Sequence, residues 1–243
     1  MNTKGVIYTA GGMQRYIDEA IYSAKTLKKY NPKLGTTLYT SIKNVESKYF
    51  DNIIYQEPIK HPQKYKVENM LKSPYDFTLF LDSDTEIKDN IEELFDFLLI
   101  YDIGVTNRVK CKWSANPIYI YYIDNQCYNG GFLLFKKNKK VTTFINAWTK
   151  KMNKNKDEEI KAGTQTGDQI PLNELFFDEK LPEKIGLKYV ILPNKIYNAR
   201  PWLWEQAKTD GDYKNIKIFH ARGLNKHKSV KILNKIKHKL RNG

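Results

Sequence analysis

Residues 77–87 read Phe-Thr-Leu-Phe-Leu-Asp-Ser-Asp-Thr-Glu-Ile. An apolar run of this length suits a short strand buried on both faces, and it breaks off at Asp82-Ser83-Asp84. Side chains two apart on an extended chain point the same way, so Asp82 and Asp84 can converge on one cation. Carboxylate oxygens are hard ligands that suit Mg²⁺ or Mn²⁺. The plain alternative is a loop carrying two solvated aspartates, since an Asp-x-Asp pattern is short. The rest of the chain decides between the two.

Strand-like and helix-like segments alternate through the first hundred residues. Gly5–Thr9, Thr36–Tyr39 and Asn52–Gln56 read as strands. Between them, Arg15–Tyr30 carries Ile17, Ile21, Ala24 and Leu27 on one helical stripe and stops at Asn31-Pro32. Tyr65–Lys72 reads as a helix closed by Pro74, and Ile91–Leu99 as another. This alternation predicts an α/β fold with a mixed, mostly parallel central sheet flanked by helices. Ligands of such sheets sit beyond the carboxyl ends of strands, where Thr9-Ala10-Gly11-Gly12 and the paired aspartates both fall. That coincidence points to a nucleotide site.

The second half is less regular. Pro117–Ile123 is aromatic and β-rich, Gly131–Phe135 reads as a strand, and Val141–Met152 as a helix. Asn153–Glu159 reads as a charged surface stretch, and Gly167-Asp168-Gln169 opens a further helix with Asp168 suited to its N-cap. Tyr189–Leu192 and Ile216–Phe219 are strand candidates. No repeat or linker divides residues 1–226, so a single domain is expected there.

Composition excludes some classes. At 243 residues with 41% hydrophobic and 13% aromatic content, the chain is long and apolar enough for a full core. Two cysteines, Cys111 and Cys127, make no disulfide framework, and no run of about 18 apolar residues suggests a spanning helix. The N-terminal residues offer no apolar signal segment, so the expected location is cytoplasmic. The net charge is +14 and is unevenly placed: residues 213–243 hold ten Lys and Arg and no acid. Within 227–243, Val230, Leu233, Ile236 and Leu240 fall on one helical face. Lys228, Lys231, Lys235, Lys239 and Arg241 take most of the remaining positions. A basic amphipathic helix of that kind suits peripheral contact with an anionic membrane, or lies on the domain with its lysines solvated.

A second constellation lies at His220-Ala221-Arg222-Gly223-Leu224-Asn225-Lys226, after the strand-like Ile216–Phe219. A neutral imidazole is a good third ligand beside two carboxylates, Gly223 lets the backbone approach a phosphate, and Lys226 supplies positive charge. Asp-x-Asp after an apolar strand, followed near the C-terminus by His-x-x-Gly-x-x-Lys, resembles the GT-A glycosyltransferases. It is most similar to the retaining family 8 group of glycogenin and the lipopolysaccharide galactosyltransferases. The resemblance runs from about Gly5 to Lys226.

It implies that Asp82, Asp84 and His220 bind Mn²⁺ (or Mg²⁺), which bridges a donor diphosphate, with Lys226 and Gly223 at those phosphates and Ser83 between the ligands. Asn129-Gly130-Gly131 is similar to the family's Asn-x-Gly stretch beside the donor sugar. Asp168-Gln169-Ile170-Pro171-Leu172-Asn173 resembles its Asp-Gln-Asp-x-Leu-Asn segment, with Ile170 in place of the last Asp. The resemblance thereby makes Asp168 and Gln169 the catalytic candidates. Thr9, Ala10 and Tyr16 fall where the family holds the nucleotide base, and Lys66 where it carries a basic residue near the donor. The implied activity is transfer of a sugar, UDP-sugar favoured, to a hydroxyl of a glycan, lipid-linked or protein acceptor, with retention. The implied family tail Lys-Pro-Trp is replaced by Lys226-His227-Lys228.

Two other classes fit parts of the sequence. A metal-dependent sugar nucleotidyltransferase would share the sheet and the acids, but needs a Gly-rich basic loop for a triphosphate, and Gly11-Gly12 with Arg15 is a poor one. A non-enzymatic, basic nucleic-acid-binding protein would use the tail, but gives the aspartates, His220 and Asp168 nothing to do. No specific nucleic-acid partner is therefore expected.

Overall fold

The computed structural model describes residues 2–58, 62–108, 127–162 and 167–226, with side chains of 62–64 and 154–162 left aside. Pro117–Ile123, Cys111 and the basic segment 227–243 lie outside the described residues. A seven-stranded sheet runs in the order β3-β2-β1-β4-β7-β6-β8. Its strands are β1 (Lys4–Ala10), β2 (Gly35–Thr40), β3 (Asn52–Tyr55), β4 (Phe77–Leu81), β6 (Ile103–Thr106), β7 (Phe132–Lys136) and β8 (Tyr189–Leu192). β1, β2, β3 and β4 are parallel neighbours, as are β6 and β8, and β7 runs antiparallel between β4 and β6. The sheet is mixed and mostly parallel, as the alternation predicts.

Every residue of β4 is buried. Phe77, Leu79 and Leu81 pack with helix α1 (Gln14–Tyr30) and the 3₁₀ helix Glu92–Leu99 on one face, while Phe80 faces the other. That second face is covered by α2 (Pro62–Leu71) and α3 (Lys139–Ala162), with Trp148 wholly buried. Ile17, Ala24 and Leu27 of the predicted stripe are buried and Ile21 packs beside them. β1 and β4 thus deliver their carboxyl ends, Thr9-Ala10 and Asp82, side by side at one edge of the core.

Three elements add detail to the expectation. The charged stretch Asn153–Glu159 continues α3, because its polar run keeps good helix formers and contains neither glycine nor proline. Ile91–Leu99 forms a 3₁₀ rather than an α-helix. A small antiparallel ribbon pairs β5 (Thr85–Ile87) with β9 (Ile218–His220), with Thr85 opposite His220. Among the described residues no helix is long and apolar enough to cross a membrane.

Candidate functional site

The carboxyl ends of β1 and β4 open into a cleft of about 500 Å³. Its lining includes Thr9, Ala10, Tyr16, Lys66, Asp82, Ser83, Asp84, Asp168 and His220, so nine of the residues singled out in the sequence share one cavity. Asp82 and Asp84 follow β4, whose last residues are pinned to β7: Asp82 N–H donates to Gly131 C=O at 2.9 Å. His220 ends β9, and the ribbon brings it to Asp84, 136 residues earlier in the chain.

The three candidate ligands meet closely. One donor atom from each of Asp82, Asp84 and His220 lies within 4.8 Å of the others. His220 Nε2 is 3.1 Å from Asp84 Oδ1 and 3.7 Å from Asp82 Oδ2. The ring's other nitrogen, Nδ1, is 2.6 Å from Asn198 Oδ1, and Asn198 Nδ2 donates to Thr106 Oγ1 at 2.7 Å. That chain directs the Asn198 oxygen at His220, puts the proton on Nδ1 and turns the Nε2 lone pair toward the two carboxylates. Three acceptors crowded together are relieved by a cation or by a second ring proton. Oxygen, oxygen and imidazole nitrogen form a donor set suited to a divalent ion, so the residues fit the metal that the resemblance implies.

The charges around the ligands are ordered. Burial raises the Asp84 carboxyl, but its interactions with the His220 ring and with Arg200 outweigh it and hold Asp84 well below the usual carboxylate range. Lys66 bonds Asp82 Oδ1 at 2.8 Å and Asp168 Oδ2 at 2.6 Å. Burial disfavours its ammonium, yet Asp168 and Asp82 overcome this and raise its pKa, so it is a fixed cation between two acids. Asp168 makes no cap hydrogen bond to the helix that follows. Its carboxylate serves Lys66 instead, a correction to the N-cap expectation: the backbone at Asp168 is already helical, and Pro171, three residues on, has no N–H to cap.

Glycine is required where these acids approach the backbone. An ideal Cβ on Gly131 would collide with the Asp82 carboxylate and lie 2.6 Å from His220 Cε1; one on Gly130 would strike Asp168. Asn129 shapes this turn from within, its Oδ1 accepting from Gly131 N–H at 2.8 Å, and it is buried. Asn173 clamps the same segment through Tyr128 N–H at 2.6 Å and Tyr128 C=O at 2.9 Å.

Gln169, Gly223 and Lys226 are not among the residues that line the cavity. Gln169 points its Nε2 at Cys127 Sγ, 3.5 Å away, and Lys226 is exposed beyond Gly223, which has φ +79°. Tyr16 lies in the first turn of α1 under the Arg15 guanidinium, 4.6 Å from its ring centroid. Thr9 Oγ1 accepts from Asn69 Nδ2 at 3.2 Å.

Sequence reading missed Asn198, Arg200 and Glu19. Glu19 sits in the buried stripe of α1, lines the cleft and accepts Gly223 N–H on Oε1 at 3.0 Å, so a charge was hidden among apolar residues. Arg200 precedes Pro201, and that pair signals an extended residue before a helix.

No protein-family model and no curated protein matches this sequence. Among solved structures, the chain is similar to the glycosyltransferase GlyE of Streptococcus pneumoniae TIGR4, with 19% identity and a TM-score of 0.56. The match covers 90% of this chain and 54% of GlyE, so the chain spans about half of that protein. It is also similar to the galactosyltransferase LgtC in complex with donor and acceptor sugar analogs, with 15% identity, a TM-score of 0.58, and coverage of 90% of this chain and 87% of LgtC. An active-site mutant of LgtC gives 14% identity and a TM-score of 0.55 over the same shares. With its mostly parallel sheet and the position of its cleft, the chain has the GT-A glycosyltransferase fold.

Proposed function

We propose that this protein is a metal-dependent glycosyltransferase that moves a sugar from a nucleotide-diphosphate donor, UDP-sugar favoured, to an acceptor hydroxyl with retention of configuration. The observation that carries the reading is the convergence of Asp82, Asp84 and His220 at the floor of the cleft, with Lys66 joining Asp82 to Asp168. A divalent ion (Mn²⁺ or Mg²⁺) held by Asp82, Asp84 and His220 would supply Lewis-acid neutralisation of charge on the departing diphosphate. Asn198 keeps the His220 ring oriented for that duty. Lys66 holds Asp168 at the cleft wall, where a carboxylate can steady positive charge developing on a sugar's anomeric carbon. Gln169, facing Cys127, supports that segment from behind. Thr9, Ala10 and Tyr16 form the wall where a base would lie. The acceptor is a glycan, or a sugar or hydroxyl on a lipid or protein. A basic tail at 227–243 could hold the enzyme at the cytoplasmic face of a membrane.

The decisive measurement is release of free nucleoside diphosphate from a panel of UDP- and GDP-sugars with Mn²⁺ present or chelated. Metal-dependent release of UDP, abolished by Asp84→Ala with an unchanged melting temperature, is the expected result. Release of pyrophosphate from a nucleoside triphosphate and a sugar phosphate would instead identify a nucleotidyltransferase. Full turnover in excess chelator would remove the metal from the reading.

A further inference from the structure

Arg200 lines the same cleft as the paired aspartates and His220, half-buried, and its guanidinium makes no salt bridge or hydrogen bond among the described residues. A guanidinium on a cleft wall whose N–H donors are not taken up by protein carboxylates or carbonyls presents them to whatever enters the cleft. Its position is nonetheless fixed. Ala199 N–H donates to Ile218 C=O and His220 N–H to Ala199 C=O, both at 2.9 Å, which lays residues 198–200 along β9. Arg200 C=O accepts from Leu203 N–H at 2.9 Å as the helix Pro201–Thr209 begins. Asn198 and Arg200 are two apart beside this strand, and Asn198 already faces His220.

The charges around Arg200 are unbalanced in a telling way. Asp84 and Asp82 attract it from beyond ion-pair distance, while Arg108 and Arg222 repel it. Both aspartates are also the candidate metal ligands. When they are committed to a divalent ion, the guanidinium keeps its charge, its donors and no carboxylate to spend them on. A planar fork in that condition matches phosphate oxygens in pairs.

We propose that Arg200 is a phosphate-binding residue of this cleft, gripping the diphosphate of the nucleotide donor beside the metal site. This rests on the glycosyltransferase reading and adds a residue to it. The test is titration calorimetry on the full chain with Mn²⁺, using UDP, uridine and inorganic pyrophosphate as probes, for the unmodified protein, Arg200→Lys and Arg200→Gln. Loss of a charge-assisted contact corresponds to about tenfold to a hundredfold in affinity. Arg200→Gln is expected to weaken UDP and pyrophosphate by that factor and leave uridine unchanged. Arg200→Lys, which keeps the charge and the stem but not the fork, is expected to fall between, and decides the matter should Arg200→Gln not fold. Unchanged UDP affinity in the folded variants overturns the proposal. An equal loss for UDP and uridine also overturns it, because the contact is then to the nucleoside. Arg200-dependent binding of pyrophosphate with no binding of UDP would keep the phosphate site and remove the favoured UDP donor.

Discussion

At the scale of single residues, the site depends on two positions that carry no chemistry of their own. Gly131 has hydrogen where any other residue would press on Asp82 and His220. Gly131→Ala is expected to leave the melting temperature within a few degrees while weakening Mn²⁺ binding by about tenfold or more, read by calorimetry. Asn198 fixes the His220 tautomer. Asn198→Leu is expected to weaken Mn²⁺ binding by about 10–100-fold, as losses of such outer partners do; metal affinity equal to that of the unmodified chain would show that His220 needs no orienting partner. The candidate ligands themselves were legible because Asp-x-Asp and His-x-x-Gly-x-x-Lys are local patterns. Asn198 and Arg200 were not, since their meaning arises only when residues 198–200 lie beside β9.

At the scale of elements, the strands and helices of the first hundred residues were readable from periodicity and from Asn31-Pro32 and Pro74. β5 and β6 were not, being three and four residues long, and the antiparallel direction of β7 leaves no mark in its own sequence. Packing between elements is tight where β1 and β2 meet. Gly5 and Gly35 are paired neighbours, and a Cβ on either would overlap the Tyr75 ring, whose hydroxyl is 2.9 Å from Thr37 Oγ1. Gly35→Ala is therefore expected to destabilise the fold by about 1–3 kcal/mol, measured by denaturant unfolding, as overpacking does. A neutral result would mean that the ring moves aside freely.

At the scale of the whole molecule, the fold answers to pH through hydrogen-bonded acids remote from the cleft, the buried Asp102 and the exposed Asp51. Asp102 joins the starts of β6 and β8, accepting Lys188 N–H at 2.9 Å and Asn138 Nδ2 at 2.7 Å, with Lys136 nearby. Burial raises its carboxyl, but these partners win and leave it below its ordinary value of 3.8. At Asp51, burial is likewise overcome, by Lys28 and Thr36. A depressed folded pKa contributes stability that is fully present above the ordinary aspartate range and is lost as pH falls through the folded value. The melting temperature is expected to fall steeply below about pH 4, and Asp102→Asn should both lower it at pH 7 and flatten that acid slope. A slope unchanged in this variant would assign acid sensitivity to other groups.

The ribbon of β5 with β9 has a consequence for how the protein comes into being. Its two strands, with the Ala221 N–H bond to Asp84 C=O that extends them, set His220 against Asp84, and they come from residues 85–87 and 218–220. During synthesis the strands through β4 can pair and bury their apolar faces while His220 is still untranslated. The candidate cation-binding centre is therefore completed late, after the sheet that supports it exists. Nascent chains halted before residue 217 are expected to gain protease resistance in the first sheet strands and to lack Mn²⁺ affinity, whereas release of chain past residue 226 brings both. The order of construction would spare a half-built enzyme from sequestering metal.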